Sequence, residues 1–319
     1  MSQIKLASRH RPLSRWVQRK PEFPAQSIKL EAMASIEKQA EKRWVIKIDS
    51  SLVTDGGKGL DYKVLACWAN EMASLHRLDM EIIVVSSGAV AEGMSRLGWS
   101  TRPHDIPTLQ AAAAVGQMGL MEAYEASFRR SGICAAQVLL TREDFATRQR
   151  YLNTQATLNK LVKMRAIPVI NENDTVSTEE ICFGNNDMLA ALIGNMVGAD
   201  RLVILTDQPG LFVSDPRVDS RAALISLASA DDDSLLDVAG GAGKSGKGGM
   251  LSKIKSARMF ALSGGTTTIA SGHINGVLEK IRSGLAVGTE LRPRPKVDQD
   301  VERWIVESKS TLICESPMH

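Results

Sequence analysis

The stretch Trp44-Val45-Ile46-Lys47-Ile48-Asp49-Ser50-Ser51 decides the fold. Four of its first five residues are large and apolar, and the run then breaks off into small polar residues. A short apolar run closed in this way suits a strand buried on both faces that ends at a turn into a helix. The same shape recurs along the chain at Glu81–Val85, Ala135–Leu140, Ile167–Ile170, Leu202–Leu205 and Thr267–Ala270. Between these runs lie helix-length amphipathic stretches at Tyr62–His76, Thr108–Arg130, Arg150–Met164, Asp187–Val197 and Met250–Leu262. Strand and helix alternating in this manner predict an α/β protein with a mainly parallel sheet covered by helices on both faces. A short hairpin, Leu211–Val213 with Ala223–Ser226, interrupts the alternation.

Ligands of such sheets gather beyond the carboxyl ends of the strands. The first run is followed by Asp49-Ser50-Ser51 and the second by Ser86-Ser87-Gly88-Ala89. Small residues at a strand-to-helix turn let backbone N–H groups approach an anion, although serine and glycine also simply make turns and caps. The fourth run ends in Asn171-Glu172-Asn173-Asp174-Thr175, more polar residues than a turn requires. Gly184-Asn185-Asn186-Asp187 opens the next helix, and Asn185 or Asn186 also suits an N-cap. Thr206-Asp207-Gln208-Pro209-Gly210 follows the fifth run. The glycine-rich run Gly240 to Gly249 carries Lys244 and Lys247 and leads into Met250-Leu251-Ser252-Lys253. It suits phosphate binding, yet the spacing of a P-loop is absent, as is G-x-G-x-x-G after the first strand.

Bulk properties set the outer bounds. The chain has 319 residues, 44% of them hydrophobic and 24% charged, ordinary for a globular domain with a sizeable core. A net charge of +3 gives no case for nucleic acid, and no apolar run approaches a membrane span. Cys67, Cys134, Cys182 and Cys314 lack metal-ligand spacing and read as reduced thiols of a cytoplasmic protein, three of them in the core. Residues 1–43 stand apart as a basic extension, with Arg9, Arg11, Arg15, Arg19 and Lys20 before the first acid, Glu22. Such a start suits a transit peptide or a disordered extension, and its weak amphipathicity favours the second. From Ser27 to Arg43 the pattern turns helical, and Met33 also suits a start codon.

Taken in order, the loops resemble those of the glutamate 5-kinases. The shared features are Lys47 with its serine loop, Ser-Ser-Gly-Ala, Asn-Glu-Asn-Asp, Gly-x-Asn-Asp, Leu-Thr-Asp-Gln-x-Gly-Leu and Gly-Gly-Met-x-x-Lys. The resemblance runs from about Trp44 to Pro293 and includes Gln110–Gln117 and Gln137–Arg142. It implies a three-layer αβα sandwich over residues 44–293, with the acceptor amino acid above the amino-terminal half and ATP above the carboxyl-terminal half. The implied reaction moves the γ-phosphoryl group of ATP to the side-chain carboxylate of glutamate, the first step of proline synthesis. By resemblance, Lys47 and Lys253 flank the transferring group, Asp187 holds both lysines, and Mg²⁺ bridges the phosphates. Ser87, Asp174 and Asn186, with Asn171 close by, match the glutamate-binding positions. Ser50, Thr206, Asp207, Lys247, Gly248, Gly249 and Met250 join the two lysines at the nucleotide site. A homo-oligomer, dimer or tetramer, and feedback inhibition by proline are implied in the same way.

Three features depart from the family pattern. Asp49 stands where the first motif has glycine, and a carboxylate there meets phosphate oxygens at close range. Like unit charges ~4 Å apart at an effective dielectric near ~20 repel by about 4 kcal/mol, a cost that disappears if the side chain turns away, binds a metal or pairs with a lysine. The usual Asp-Asn-Asp triplet is Asn185-Asn186-Asp187, so one carboxylate is lost where Asp49 adds one. The chain stops soon after Arg303-Trp304-Ile305, so residues 294–319 read as a tail without the PUA module common in the family. The expectation is a glutamate kinase of reduced or altered activity. A kinase for another acidic amino acid or a derivative, and an inactive homologue acting as a partner or regulatory subunit, stay open as alternatives.

Overall fold

The computed structural model describes residues 41–54, 56, 59–177, 186–240 and 249–294. Eight strands form one sheet in the order β3-β4-β2-β1-β5-β7-β8-β6. They are β1 (Arg43–Ile48), β2 (Glu81–Ser86), β3 (Ala135–Leu140), β4 (Ile167–Glu172), β5 (Arg201–Thr206), β6 (Leu227–Ser229), β7 (Thr266–Ser271) and β8 (Thr289–Arg292). All neighbours pair in parallel except β7 and β8. The described helices are α1 (Ser50–Val53), α2 (Tyr62–Arg77), α3 (Ala89–Arg96), α4 (Ile106–Arg129), α5 (Glu143–Ala146), α6 (Arg148–Lys163), α7 (Asn186–Val197), α8 (Ser234–Gly240), α9 (Met250–Ala261) and α10 (Val277–Arg282).

Alternation along the central strands divides the core into two layers. Trp44, Ile46 and Ile48 of β1 join Ile82 and Val84 of β2 on the face that packs against Trp68 and Met72 of α2 and Tyr124 and Phe128 of α4. Val45 of β1 joins Ile83 and Val85 of β2 on the other face, against Leu189 and Ile193 of α7 and Ile254 and Phe260 of α9. Lys47 shares the parity of Val45. The sheet's own pleat therefore sends its side chain toward the face that carries α7 and α9.

Local signals start the helices. Asp61 caps α2 by accepting from Lys63 N and Val64 N, and Asp105 caps α4 by accepting from Thr108 N. Gly88 precedes α3 at φ +116°, a left-handed backbone that favours glycine. Helices α3 and α4 then pack backbone to backbone, because a Cβ on Gly116 would lie 1.9 Å from Ala89 O.

Several expectations need correction. β3 is an edge strand with mostly half-buried residues rather than a strand covered on both faces. Cys67 and Cys134 are exposed, so three core cysteines are excluded. Cys67 lies on the outer face of α2, and Cys134 just precedes the edge strand. The compact unit begins at Glu41. Arg43, read as the end of a helical stretch, opens β1, and residues 1–40 lie outside the described residues. The hairpin is a single antiparallel bridge, Phe212 with Leu224, flanked by backbone bonds from Val213 N to Ala223 O and from Ile225 N to Leu211 O.

Candidate active site

The loops after β1, β2, β4 and β5 meet the amino terminus of α9 around one cleft of about 690 Å³. At one end the residues are amides, hydroxyls and carboxylates. Asn186 opens α7 and donates from its side-chain nitrogen to Ser86 O at 2.9 Å, Ser87 Oγ at 2.8 Å and Asn171 Oδ1 at 2.8 Å. Asn171 in turn donates to Gln117 Oε1 at 2.9 Å and accepts from Glu172 N at 2.9 Å. This chain of amides fixes which atoms of Asn171 and Asn186 are donors.

Asp174 lines the same end of the cleft. It has no hydrogen-bond or ion-pair partner among the described residues. Burial, helped by the charge on Glu172 and opposed by Arg102, pushes its carboxyl up to about 6. Arg102 is exposed and makes no ion pair with it, so Asp174 is a carboxylate without an ion-paired cation, in the same cleft as Ser87 and Asn186.

Further along the cleft, four charges form a ring. Lys47 Nζ lies 2.5 Å from Asp187 Oδ1, and Lys253 Nζ lies 3.2 Å from Asp187 Oδ2. Asp49 pairs with Lys47 and reaches Lys253 Nζ at 2.8 Å. Asp187 is fully buried and both lysines are at most 3% exposed, whereas the Asp49 side chain is 13% exposed. Burial works against charge on Lys47, but Asp187 and Asp49 outweigh it and hold the ammonium above the ordinary lysine range. Burial likewise opposes charge on Asp49, and the two lysines outweigh it and hold the carboxyl below the usual range. The Asp49 side chain therefore does not turn away from the loop; it bridges the two lysines.

Ser50, Thr206, Asp207, Gly249 and Met250 line the cleft beside this ring. Asn185, Lys247 and Gly248 lie outside the described residues. The cleft also takes in Arg102, Phe212, Arg217 and Val238, which the sequence did not single out. Arg102 and Phe212 do not follow a strand end directly, and Val238 looks like ordinary helix filling, so no local pattern marks them.

A mainly parallel α/β sheet with paired lysines at its carboxyl edge is an arrangement suited to handling phosphoryl groups. Residues 42–271 match the model of the amino acid kinase family, and the chain belongs to that family. It is 51% identical over 278 residues to the glutamate 5-kinase of Pseudomonas paraeruginosa, covering 86% of this chain and 75% of that relative. It is 52% identical over 267 residues to the glutamate 5-kinase of Burkholderia mallei, covering 83% of this chain and 72% of that relative. Among solved structures, the UMP kinase from Bacillus anthracis superposes with a TM-score of 0.56 at 16% identity, covering 81% of this chain and 98% of that one. That likeness concerns the fold alone.

Proposed function

We propose that this chain is a glutamate 5-kinase, transferring the γ-phosphoryl group of ATP to the side-chain carboxylate of glutamate in the first step of proline synthesis. The observation that carries the reading is the pairing in one cleft of an unpartnered carboxylate, Asp174, with the lysine pair Lys47 and Lys253. The identity to the two glutamate 5-kinases favours glutamate over another acidic acceptor.

The chemistry follows from the groups present. Asp174 suits the α-ammonium of an amino acid, which supplies the cation it lacks. Ser87 Oγ accepts from Asn186, which leaves its O–H to donate to the α-carboxylate, while the amide oxygen of Asn186 suits the α-ammonium and Asn171 holds Asn186 in place. The acceptor is itself a carboxylate, so no strong general base is needed. Phosphoryl transfer then depends on positioning and on offsetting charge at the equatorial oxygens. Lys47 and Lys253 supply the two cations, and Asp187, buried between them, orients both. Thr206, Asp207 and the segment Lys247, Gly248, Gly249 and Met250 hold the nucleotide. No group of three His, Cys, Asp or Glu able to hold an ion occurs among the described residues. Mg²⁺ would come with the phosphates of ATP and offset part of their charge. No described helix is long and apolar enough to cross a membrane.

Trapping with hydroxylamine tests the reading. The full chain with MgATP should form a hydroxamate from glutamate and none above background from aspartate or N-acetylglutamate, which lacks the free ammonium. Equal yield from N-acetylglutamate, or none from glutamate, would overturn it.

A further inference from the structure

We infer that the Asp49 carboxylate is a tethered occupant of the seat between Lys47 and Lys253, and that the γ-phosphoryl group of ATP takes that seat only when Asp49 swings out. The inference rests on the kinase reading above for the identity of the incoming group, and on the ring itself for the rest. Both ammonium groups end on Asp49 as well as on Asp187, so two cations face two carboxylates and the formal charge of the ring is zero. Within this ring, Asp49 offsets positive charge that an entering anion would otherwise meet. With Asp49 displaced, the same two lysines and Asp187 carry a net positive charge.

Asp187 cannot be the member that yields. It is fully buried at the start of α7, and its two oxygens lie on different lysines. Asp49 is the most exposed member of the ring and lines the cleft. Its backbone is ordinary, at φ −67° and ψ 147°, and its side chain makes no capping bond to α1. A rotation about χ1 therefore moves the carboxylate toward the open cleft without backbone strain. What holds it in place is the lysine pair alone, the pair that has to meet the phosphoryl oxygens.

The consequence is selective. Competition for the seat weakens binding of the γ-phosphoryl group by the fraction of molecules in which the seat is open. It leaves adenosine and the first two phosphates untouched. Asp49 is thus a positioning residue whose effect shows in the contrast between ATP and ADP, a readout that a merely structural role would not move.

The test uses the full chain and two variants. Asp49→Asn keeps the volume and removes the charge, and Asp49→Gly removes both. Calorimetry with MgATP and MgADP, without acceptor, should show the wild-type chain binding MgATP no more tightly than MgADP. Both variants should raise the ATP-to-ADP affinity ratio by about tenfold or more, with a matching rise in kcat/KM for ATP in the glutamate assay. Binding of MgADP by either variant shows that its site is folded. An unchanged ratio in both variants would overturn the inference, and a fall would make Asp49 a group that helps hold the phosphates. If the ratio rises but no chain forms an acyl phosphate on glutamate, the occupant stands and the glutamate reading fails. If the wild type already turns over as fast as the variants with the ratio unchanged, the kinase reading stands and the occupant fails.

Discussion

Asn186 and Ser87 lie 99 residues apart in the chain, and the Asn186 amide donates to Ser87 Oγ at 2.8 Å. The same nitrogen also reaches Ser86 O and Asn171 Oδ1, so one side chain ties the loop after β2 to the end of β4. Asn186→Ala leaves these acceptors without their donor inside a buried cluster. Loss of a buried hydrogen-bonded group costs about 1–3 kcal/mol, and the glutamate site is where the effect falls. Steady-state kinetics should show kcat/KM for glutamate falling by about tenfold to a hundredfold, with KM for ATP changed by less than about threefold.

Asp174 should give the enzyme an acid limb. Its carboxyl is pushed up to about 6, so the free enzyme loses the charged form as pH falls through that value. The log of kcat/KM for glutamate should decline with unit slope below about pH 6 and flatten above it. The sign for stability is opposite to that of a paired carboxylate. A raised folded-state value means that the native chain binds more protons than the unfolded chain between about pH 4 and 6. Ionised Asp174 therefore costs stability above that window. Urea denaturation at pH 7.5 should find Asp174→Asn more stable by about 1–2 kcal/mol, a figure discounted for partial exposure. The gain should vanish near pH 4, and the variant should show no glutamate turnover. Equal stability at pH 7.5 would contradict the uncompensated charge.

Arg201 opens β5, at the end of the sheet away from the cleft. It pairs with Glu41 at 2.7 Å and Glu290 at 3.0 Å and lies 5.8 Å over the ring of Trp44. Removing one partner of a buried ion cluster leaves the others uncompensated, at a cost of about 3–5 kcal/mol. Arg201→Ala should lower the denaturation midpoint accordingly while leaving KM values of the remaining folded enzyme unchanged. A kinetic change without a stability change would contradict this placement.

The central strands were legible because parallel strands buried on both faces read as unbroken apolar runs, as Trp44–Ile48 and Leu202–Leu205 do. β6 and β8 were not. Leu227–Ser229 is only three residues long, and Thr289–Arg292 carries Glu290 and Arg292 within a four-residue strand. Their pairing, β8 with β7 and β6 with β8, depends on tertiary contact rather than on local pattern. Helix α3 was missed for a related reason, since its packing on α4 is a close approach of backbones around Gly116 rather than an apolar stripe. In the site, polar residues crowding a buried strand's end marked Asn171 and Asp174. The ring of Lys47, Asp49, Asp187 and Lys253 was not readable as geometry. Asp49 and Lys253 are 204 residues apart, and only the convergence of β1, α7 and α9 settles that Asp49 turns toward the lysines.

On the proposed function, this chain moves a phosphoryl group onto glutamate between Lys47 and Lys253. Incubation with ATP labelled at the γ-phosphate, glutamate and Mg²⁺, followed by separation of the acyl phosphate, tests it most directly. The wild-type chain should transfer label only when glutamate is present, and Lys253→Met should reduce the transfer rate by about a hundredfold or more while still binding MgADP. Label transfer that is independent of glutamate, or undiminished in Lys253→Met, would contradict the account.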